Sequence, residues 1–300
     1  MSSSPLVWLI TGTSTGFGRE LALAALHRGD KVIATTRARS FSQLDDLKAQ
    51  GAETIQLDVT APLEELQEIA KKAVAICGQV DVVVNNAGYG TIGAIEENTT
   101  QETQEQFNTN FFGAVNVTRA FLPYLRERKT GTIIFIGSVL GWIFKVLILL
   151  NLVRAQPSLG LYSTTKWALR GLSGTLHDEI APLGLRSTCI DLGYFRTALL
   201  DPTHRKPYNP RIADYNEVTG EFEAMLQAYH NNQPGDPSIA AQIIVDIVHG
   251  EGTAKGKAFP RSIQLGPDCY KAVKHECEQT LRRIEEWKDV SLSTDFAEGT

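Results

Sequence analysis

Leu6-Val-Trp-Leu-Ile10, then Thr11-Gly-Thr-Ser-Thr-Gly-Phe-Gly18, then Glu20-Leu-Ala-Leu-Ala-Ala-Leu26: this stretch decides the fold. The first run is short, apolar and closed by a glycine, which predicts a buried strand. The last run has helical periodicity and ends near Gly29. Between them, glycines at 12, 16 and 18 make a turn that delivers the chain into a helix N-terminus. Such a turn is an anion site. Backbone N–H groups and the positive end of the helix dipole face a pyrophosphate, and glycine lets the backbone come close. The spacing differs from the commoner G-x-G-x-x-G fingerprint, and the competing reading is a tight βα turn that holds no ligand.

Outward from that turn, apolar runs at 31–36, 54–57, 80–84, 132–136, 186–190 and 258–265 predict further strands. Helical patterns cover 41–50, 63–76, 100–125, 161–180, 221–230, 239–249 and 270–287. Val80-Asp-Val-Val-Val84 is too apolar for an exposed edge and fits a parallel sheet covered on both faces. The alternation predicts an α/β, doubly wound parallel sheet in a single domain over 1–300. Within it, 6–198 forms the core, 199–235 a lid over the substrate, and 236–300 a C-terminal helix–strand–helix.

The chain has 300 residues, 43% hydrophobic and 21% charged, enough for a large core. A net charge of −5 argues against nucleic acid as a bulk partner. Cys77, Cys189, Cys269 and Cys277 are widely spaced and the six histidines form no ligand cluster, so neither a disulfide framework nor a metal is expected. Met-Ser-Ser-Ser-Pro5 opens no secretory signal, and no run is long enough to span a bilayer, so the expected location is cytoplasmic.

Chemistry enters with Tyr162-Ser-Thr-Thr-Lys166. Residues four apart share a helix face, and an ammonium beside a phenol favours the phenolate. Such a pair can move a proton to or from a carbonyl oxygen while hydride moves at carbon. Spacing alone is weak, because Tyr270-Lys-Ala-Val-Lys274 repeats it on a helix that reads as solvated. Ser138 follows the fifth strand, at the carboxyl end where such sheets bind ligands, and its hydroxyl can donate to a carbonyl oxygen. At the end of the second strand, where an acidic residue would bind the ribose hydroxyls of NAD, the chain has Thr36 and then Arg37, with Arg39 nearby. A guanidinium suits a 2′-phosphate, so the expected cofactor is NADP(H); the competing reading is a surface arginine.

With Thr11, Gly12, Gly16 and Gly18, then Asn85-Asn-Ala-Gly88, Asn110, Ser138, Tyr162 and Lys166 in order, the chain resembles the short-chain dehydrogenase/reductase family over roughly 6–287. The resemblance implies a Rossmann-type fold. It further implies that Ser138, Tyr162, Lys166 and Asn110 are catalytic, with Asn110 holding a helix bend and a water chain toward the lysine. The cofactor would lie on Ile10, Gly12, Thr13, Gly16, Gly18, Arg37, Asp58, Asn86, Ala87, Gly88, Arg119, Tyr162, Lys166, Phe195 and Thr197. Asp58 would sit over the adenine, and Phe195 and Thr197 near the nicotinamide. A small carbonyl or alcohol substrate, apolar in view of the lid, is the expected partner. Small residues on the Tyr162 helix, among them Gly171 and Gly174, leave a homo-oligomer open.

Two departures stand out. Leu192 replaces the proline that family members carry before Gly193. Ser138 and Tyr162 are 24 positions apart, about twice the family spacing, because of an apolar segment, 142–156. A lengthened loop costs little in closure entropy, under about 1 kcal/mol, but a greasy one must bury itself in the cleft, in a partner or against a membrane surface. A translated intron is the remaining account. If the segment filled the cleft, the chain would be a non-catalytic NADP(H)-binding sensor or an inactivated enzyme. An epimerase or dehydratase reading lacks the large added domain that a sugar nucleotide would need.

Overall fold

The computed structural model describes residues 4–143, 145–148, 152–155, 157–201, 205–206 and 208–296. The chain begins β1 (Val7–Thr11), α1 (Gly16–Arg28), β2 (Lys31–Thr36), α2 (Asp45–Ala49), β3 (Glu53–Gln56), α3 (Leu63–Cys77) and β4 (Val82–Asn85). It continues α4 (Thr100–Phe107), a π-helical turn (Asn108–Phe112), α5 (Gly113–Arg128), β5 (Gly131–Ile136), β6 (Lys145–Ile148), β7 (Leu152–Ala155) and α6 (Gly160–Ile180). It closes with β8 (Leu185–Leu192), α7 (Asn216–Tyr229), α8 (Pro237–His249), β9 (Ser262–Leu265), α9 (Pro267–Glu286) and α10 (Lys288–Leu292).

Seven strands form one parallel sheet in the order β3-β2-β1-β4-β5-β8-β9. β1 shows why both faces are covered. Leu9 joins a core with Val117 and Phe121 of α5, while Trp8 and Ile10 join the opposite core with Ala241 and Ile244 of α8. Alternate residues of a strand point to opposite faces, so an unbroken apolar run needs helices on each side. α1 stops at Gly29, whose φ of 95° lets its amide turn back onto Ala25 and Leu26. α8 starts on Asp236, whose carboxylate accepts from the amides of Ser238 and Ile239, with Pro237 in the first turn. Strand order reverses between β1 and β4, and an open α/β sheet has its crevice at the carboxyl ends beside that reversal. β9 pairs with β8, so the C-terminal section joins the same sheet.

Several expected elements change. The helix expected over 100–125 is broken by the π-helical turn around Asn110 and resumes to Arg128. The last strand is only Ser262–Leu265, preceded by Pro260, which has no N–H for a ladder. The helix expected over 221–230 begins earlier, at Asn216.

Segment 142–156, read as a loop, contains an antiparallel hairpin in which Ile148 faces Leu152. β5 is already paired with β4 and β8, so the inserted backbone bonds to itself instead. Phe144, Leu149, Leu150, Asn151 and Gln156 lie outside the described residues. The root of the insert is fixed. The Trp142 indole donates to Asp191 at 2.6 Å and its ring lies 3.3 Å from the Arg170 guanidinium carbon, while Ile143 packs with Cys269 and Val273 of α9. β6 lies beside α9. The insert thus leaves toward α9.

Candidate active site

The ends of β1, β2, β3, β4, β5 and β8 surround a cleft of about 550 Å³. Its floor is the glycine-rich turn. Gly12 has φ +72°, and a Cβ there would come within 3.0 Å of the Ala87 backbone; a Cβ on Gly18 would lie 2.3 Å from the Asn86 amide nitrogen. Both positions therefore require glycine. Asn86 donates through its side chain to the carbonyls of Thr11 (2.8 Å) and Gly12 (3.1 Å), and the Thr11 hydroxyl accepts from the amides of Asn86 and Ala87. The end of β4 thus clamps the turn. Thr15 occupies the N-cap of α1 without a side-chain cap bond, and the first turn of α1 holds no acidic residue. The N-terminal amides of α1 are left for an anion.

Three cationic side chains, Arg37, Arg39 and Lys166, line the cleft against one carboxylate, Asp58. The Asp58 carboxylate accepts from the amide and hydroxyl of Thr60, so it caps its own turn rather than α3. Across the cleft, Thr197 approaches Gly16, with 3.6 Å between its Cβ and the Cβ position of the glycine, and Phe195 packs at 6.0 Å on Phe17.

Ser138, Tyr162 and Lys166 come together at one end, 8%, 9% and 5% exposed. Ser138 has extended backbone at the end of β5, and its Oγ accepts from the Leu140 amide at 3.2 Å. Lys166 donates to the Ile136 carbonyl at 2.6 Å, and its ammonium lies 5.5 Å from the Tyr162 ring centroid. The Gly141 carbonyl that follows is held by Arg170. Nearby Asp191 is raised above the usual carboxylate range, first because it is buried.

Four expected site residues sit elsewhere. Ile10 is a fully buried core residue, and the buried Thr13 turns its hydroxyl onto the Thr35 carbonyl. Arg119 is exposed on α5, bonds to Asn116 and does not line the cleft. Asn110 is buried, does not line the cleft and makes no direct hydrogen bond to Lys166. Its side chain accepts from the Tyr89 amide and donates to the Tyr89 carbonyl and to Thr165 Oγ1, whose own hydroxyl donates to the Tyr162 carbonyl. It therefore ties the loop after β4 to the helix of Tyr162 and Lys166.

Beside the cleft lies a smaller apolar pocket of about 90 Å³, to which Ile92, Val139, Leu159 and Leu226 contribute. Ser138, Tyr162 and Phe195 line both spaces. Leu199, Leu200, Arg205, Leu226 and Gln233 come from the expected lid, 199–235; His204 of that stretch lies outside the described residues. That segment is docked on α4 and the turn before it. Arg211 forms an ion pair with Glu102 and bonds to the Glu97 carbonyl, and the Tyr215 hydroxyl donates to Glu96. Arg211 holds the Glu102 carboxyl down at about 2. Arg205 likewise lowers Glu223, and Tyr194 packs edge-on against Tyr229. Sequence reading missed Ser14, Thr15 and Tyr89 in the cleft and Arg205 and Gln233 in the pocket. The hydroxyls of the turn could have been named from its position before α1; nothing local marks the others. Burial pushes the Tyr89 phenol up.

A family model described as short chain dehydrogenase matches residues 6–207. The chain is 33% identical over 297 residues to oxidoreductase BOA17 of Botryotinia fuckeliana (strain B05.10), covering 96% of this chain and 98% of that one. It is 33% identical over 211 residues to a 3-ketodihydrosphingosine reductase of Bacteroides thetaiotaomicron, covering 70% and 72%. A solved short-chain dehydrogenase from Streptomyces avermitilis matches with a TM-score of 0.82 at 37% identity, covering 98% of this chain and 100% of that one. A sheet that reverses at a glycine-rich turn, and a model and relatives that span that sheet, lead to one conclusion: this chain is an oxidoreductase of the short-chain dehydrogenase family.

Proposed function

We propose that the chain is an NADP(H)-dependent oxidoreductase that interconverts an apolar ketone or aldehyde and its alcohol. One observation carries this reading: Ser138 and Tyr162 belong to the walls of both the polar cleft and the apolar pocket. A carbonyl oxygen held in the pocket can meet both hydroxyls at the boundary. The cleft suits a dinucleotide, with close backbone approach at Gly12 and Gly18, an uncapped α1 N-terminus, and Arg37 and Arg39 at the end of β2. Arg37 stands where a carboxylate would favour NAD, and a guanidinium pairs well with a 2′-phosphate.

A bound nicotinamide nucleotide supplies hydride in reduction and takes it up in oxidation. Ser138 donates to the substrate oxygen and stabilises its developing negative charge. Tyr162 passes its hydroxyl proton to that oxygen. Lys166, fixed by Ile136, offsets the charge left on the phenol oxygen. Asn110 is a positioning residue, holding α6 against the Tyr89 loop through Thr165. A relative named 3-ketodihydrosphingosine reductase favours a ketone, and the apolar lining of the pocket favours an apolar one. The four free cysteines fit a reducing, cytoplasmic setting. Gly171 and Gly174 of α6 have no atom within 4 Å of a Cβ position, which suits contact with a second copy, readable by light scattering.

The test compares NADPH and NADH across a panel of apolar ketones and aldehydes, with the alcohol products identified. Faster NADPH oxidation, by about tenfold or more in kcat/KM, is expected from one charge-assisted phosphate contact. A preference for NADH would overturn the nucleotide, and nucleotide binding without turnover of any carbonyl or alcohol would overturn the enzyme.

A further inference from the structure

Gln233 is 1% exposed and lines the apolar pocket. Its backbone carbonyl accepts from Arg196, yet among the described residues neither its side-chain nitrogen nor its side-chain oxygen has a hydrogen-bond partner. Buried amides are ordinarily satisfied, and an unmet pair next to a cavity calls for an explanation. The neighbouring charged group does not supply one: Arg205 is engaged by Glu223 and the Leu200 carbonyl. Gln233 also lines the pocket alone, whereas Ser138 and Tyr162 line the pocket and the cleft. Gln233 therefore stands on the pocket wall away from the cleft.

We infer that Gln233 is a specificity-determining residue whose carboxamide binds a hydroxyl carried by the substrate away from its reacting carbonyl. The substrate class is an otherwise apolar hydroxyketone, or the corresponding diol in oxidation. This rests on the oxidoreductase reading above for the reacting end. The choice of hydroxyl follows from the inventory. A carboxamide offers one acceptor and a donor pair, and a hydroxyl both donates and accepts. A carboxylate would meet the amide oxygen unfavourably and find Arg205 already neutralised by Glu223. A plain hydrocarbon would leave both amide atoms unpaired, and sites that bind a polar group discriminate strongly against analogues lacking it.

The experiment uses 2-octanone and its isomers hydroxylated at each carbon from 4 to 8. Their binding is measured calorimetrically to the protein saturated with the oxidised nucleotide, from which no hydride can pass to a ketone. At least one hydroxylated isomer should bind about tenfold to a hundredfold more tightly than 2-octanone, the range for a satisfied buried polar group. In Gln233→Met, close in size without the amide, that ratio should fall to about one. The inference is overturned if no isomer is preferred, or if the preference survives in Gln233→Met. If that variant does not fold, by circular dichroism, Gln233→Asn replaces it, and the same collapse is expected because the shortened amide no longer reaches. Turnover with the reduced nucleotide is read separately. Preference in binding without turnover of any isomer refutes the proposed carbonyl reduction and leaves Gln233 assigned; turnover without preference does the reverse.

Discussion

Two helices of this chain carry a tyrosine with a lysine four residues on, and one of them faces the cleft. On α6, Tyr162 is 9% exposed at the mouth of the cleft, with its lysine 5.5 Å from its ring and fixed to the end of β5. On α9, Tyr270 is 60% exposed, Lys274 is exposed, and neither lines the cleft or the apolar pocket beside it. The spacing is identical, so spacing is not what makes a reactive pair. α6 packs on β5 and β8, which brings its first turns to the carboxyl edge of the sheet. α9 follows β9, the last strand of the sheet.

The strongest way to break this contrast is to remove one hydroxyl from each helix. Tyr162→Phe should lower kcat for carbonyl reduction by about 10³-fold or more, within the range of a lost general acid, while nucleotide binding by fluorescence titration is retained. Tyr270→Phe should leave both unchanged. Equal losses would erase the distinction. Next in size, Ser138→Ala should reduce kcat by about 10²-fold, the loss of one donor to a developing oxyanion, with little change in nucleotide affinity. An unchanged kcat would reduce Ser138 to a turn residue. Smaller again, Arg37→Ala should cut the NADPH-over-NADH ratio of kcat/KM about tenfold; an unaltered ratio would make Arg37 a surface group. The smallest effect concerns the 199–235 segment beside the α6 site. Arg211, together with the Thr99 cap bonds, lowers Glu102 from 4.5 to about 2, so docking of that segment is favoured above about 4.5 and that contribution is lost as pH falls through about 2. Protection of the α7 amides, measured as exchange relative to the intrinsic rate at each pH, should be lower at pH 3 than at pH 6, and part of that difference should vanish in Glu102→Gln.

What the sequence showed clearly was whatever depends on a strand end. The glycine turn, Asn86 to Gly88, and Ser138 follow apolar runs directly, so their place at the carboxyl edge follows from the order of elements. What depends on helix phase or on distant partners was less legible. Arg119 lies nine residues beyond Asn110 with part of the π-helical turn between them, so its phase could not be read from spacing, and it comes out on the exposed side of α5. Gln233 sits in a loop, and the pocket it lines is completed by residues far off in sequence, such as Ile92 and Leu159. The inserted hairpin was hidden for another reason. Its two strands pair with each other and stand apart from the main sheet, so the order of the sheet's elements gave no sign of them.

The π-helical turn at Asn108–Phe112 takes up one residue more than an α-helical turn would. The widened turn absorbs that residue locally, so Val117 and Phe121 of α5 keep their phase on the sheet while Asn110 bonds to Tyr89 and Thr165. Deleting one residue there would close the turn to ordinary α-helix and withdraw Asn110 from the Tyr89 loop, with the core side of α5 left in place. A length change at this spot is therefore felt at the reacting end and spares the core.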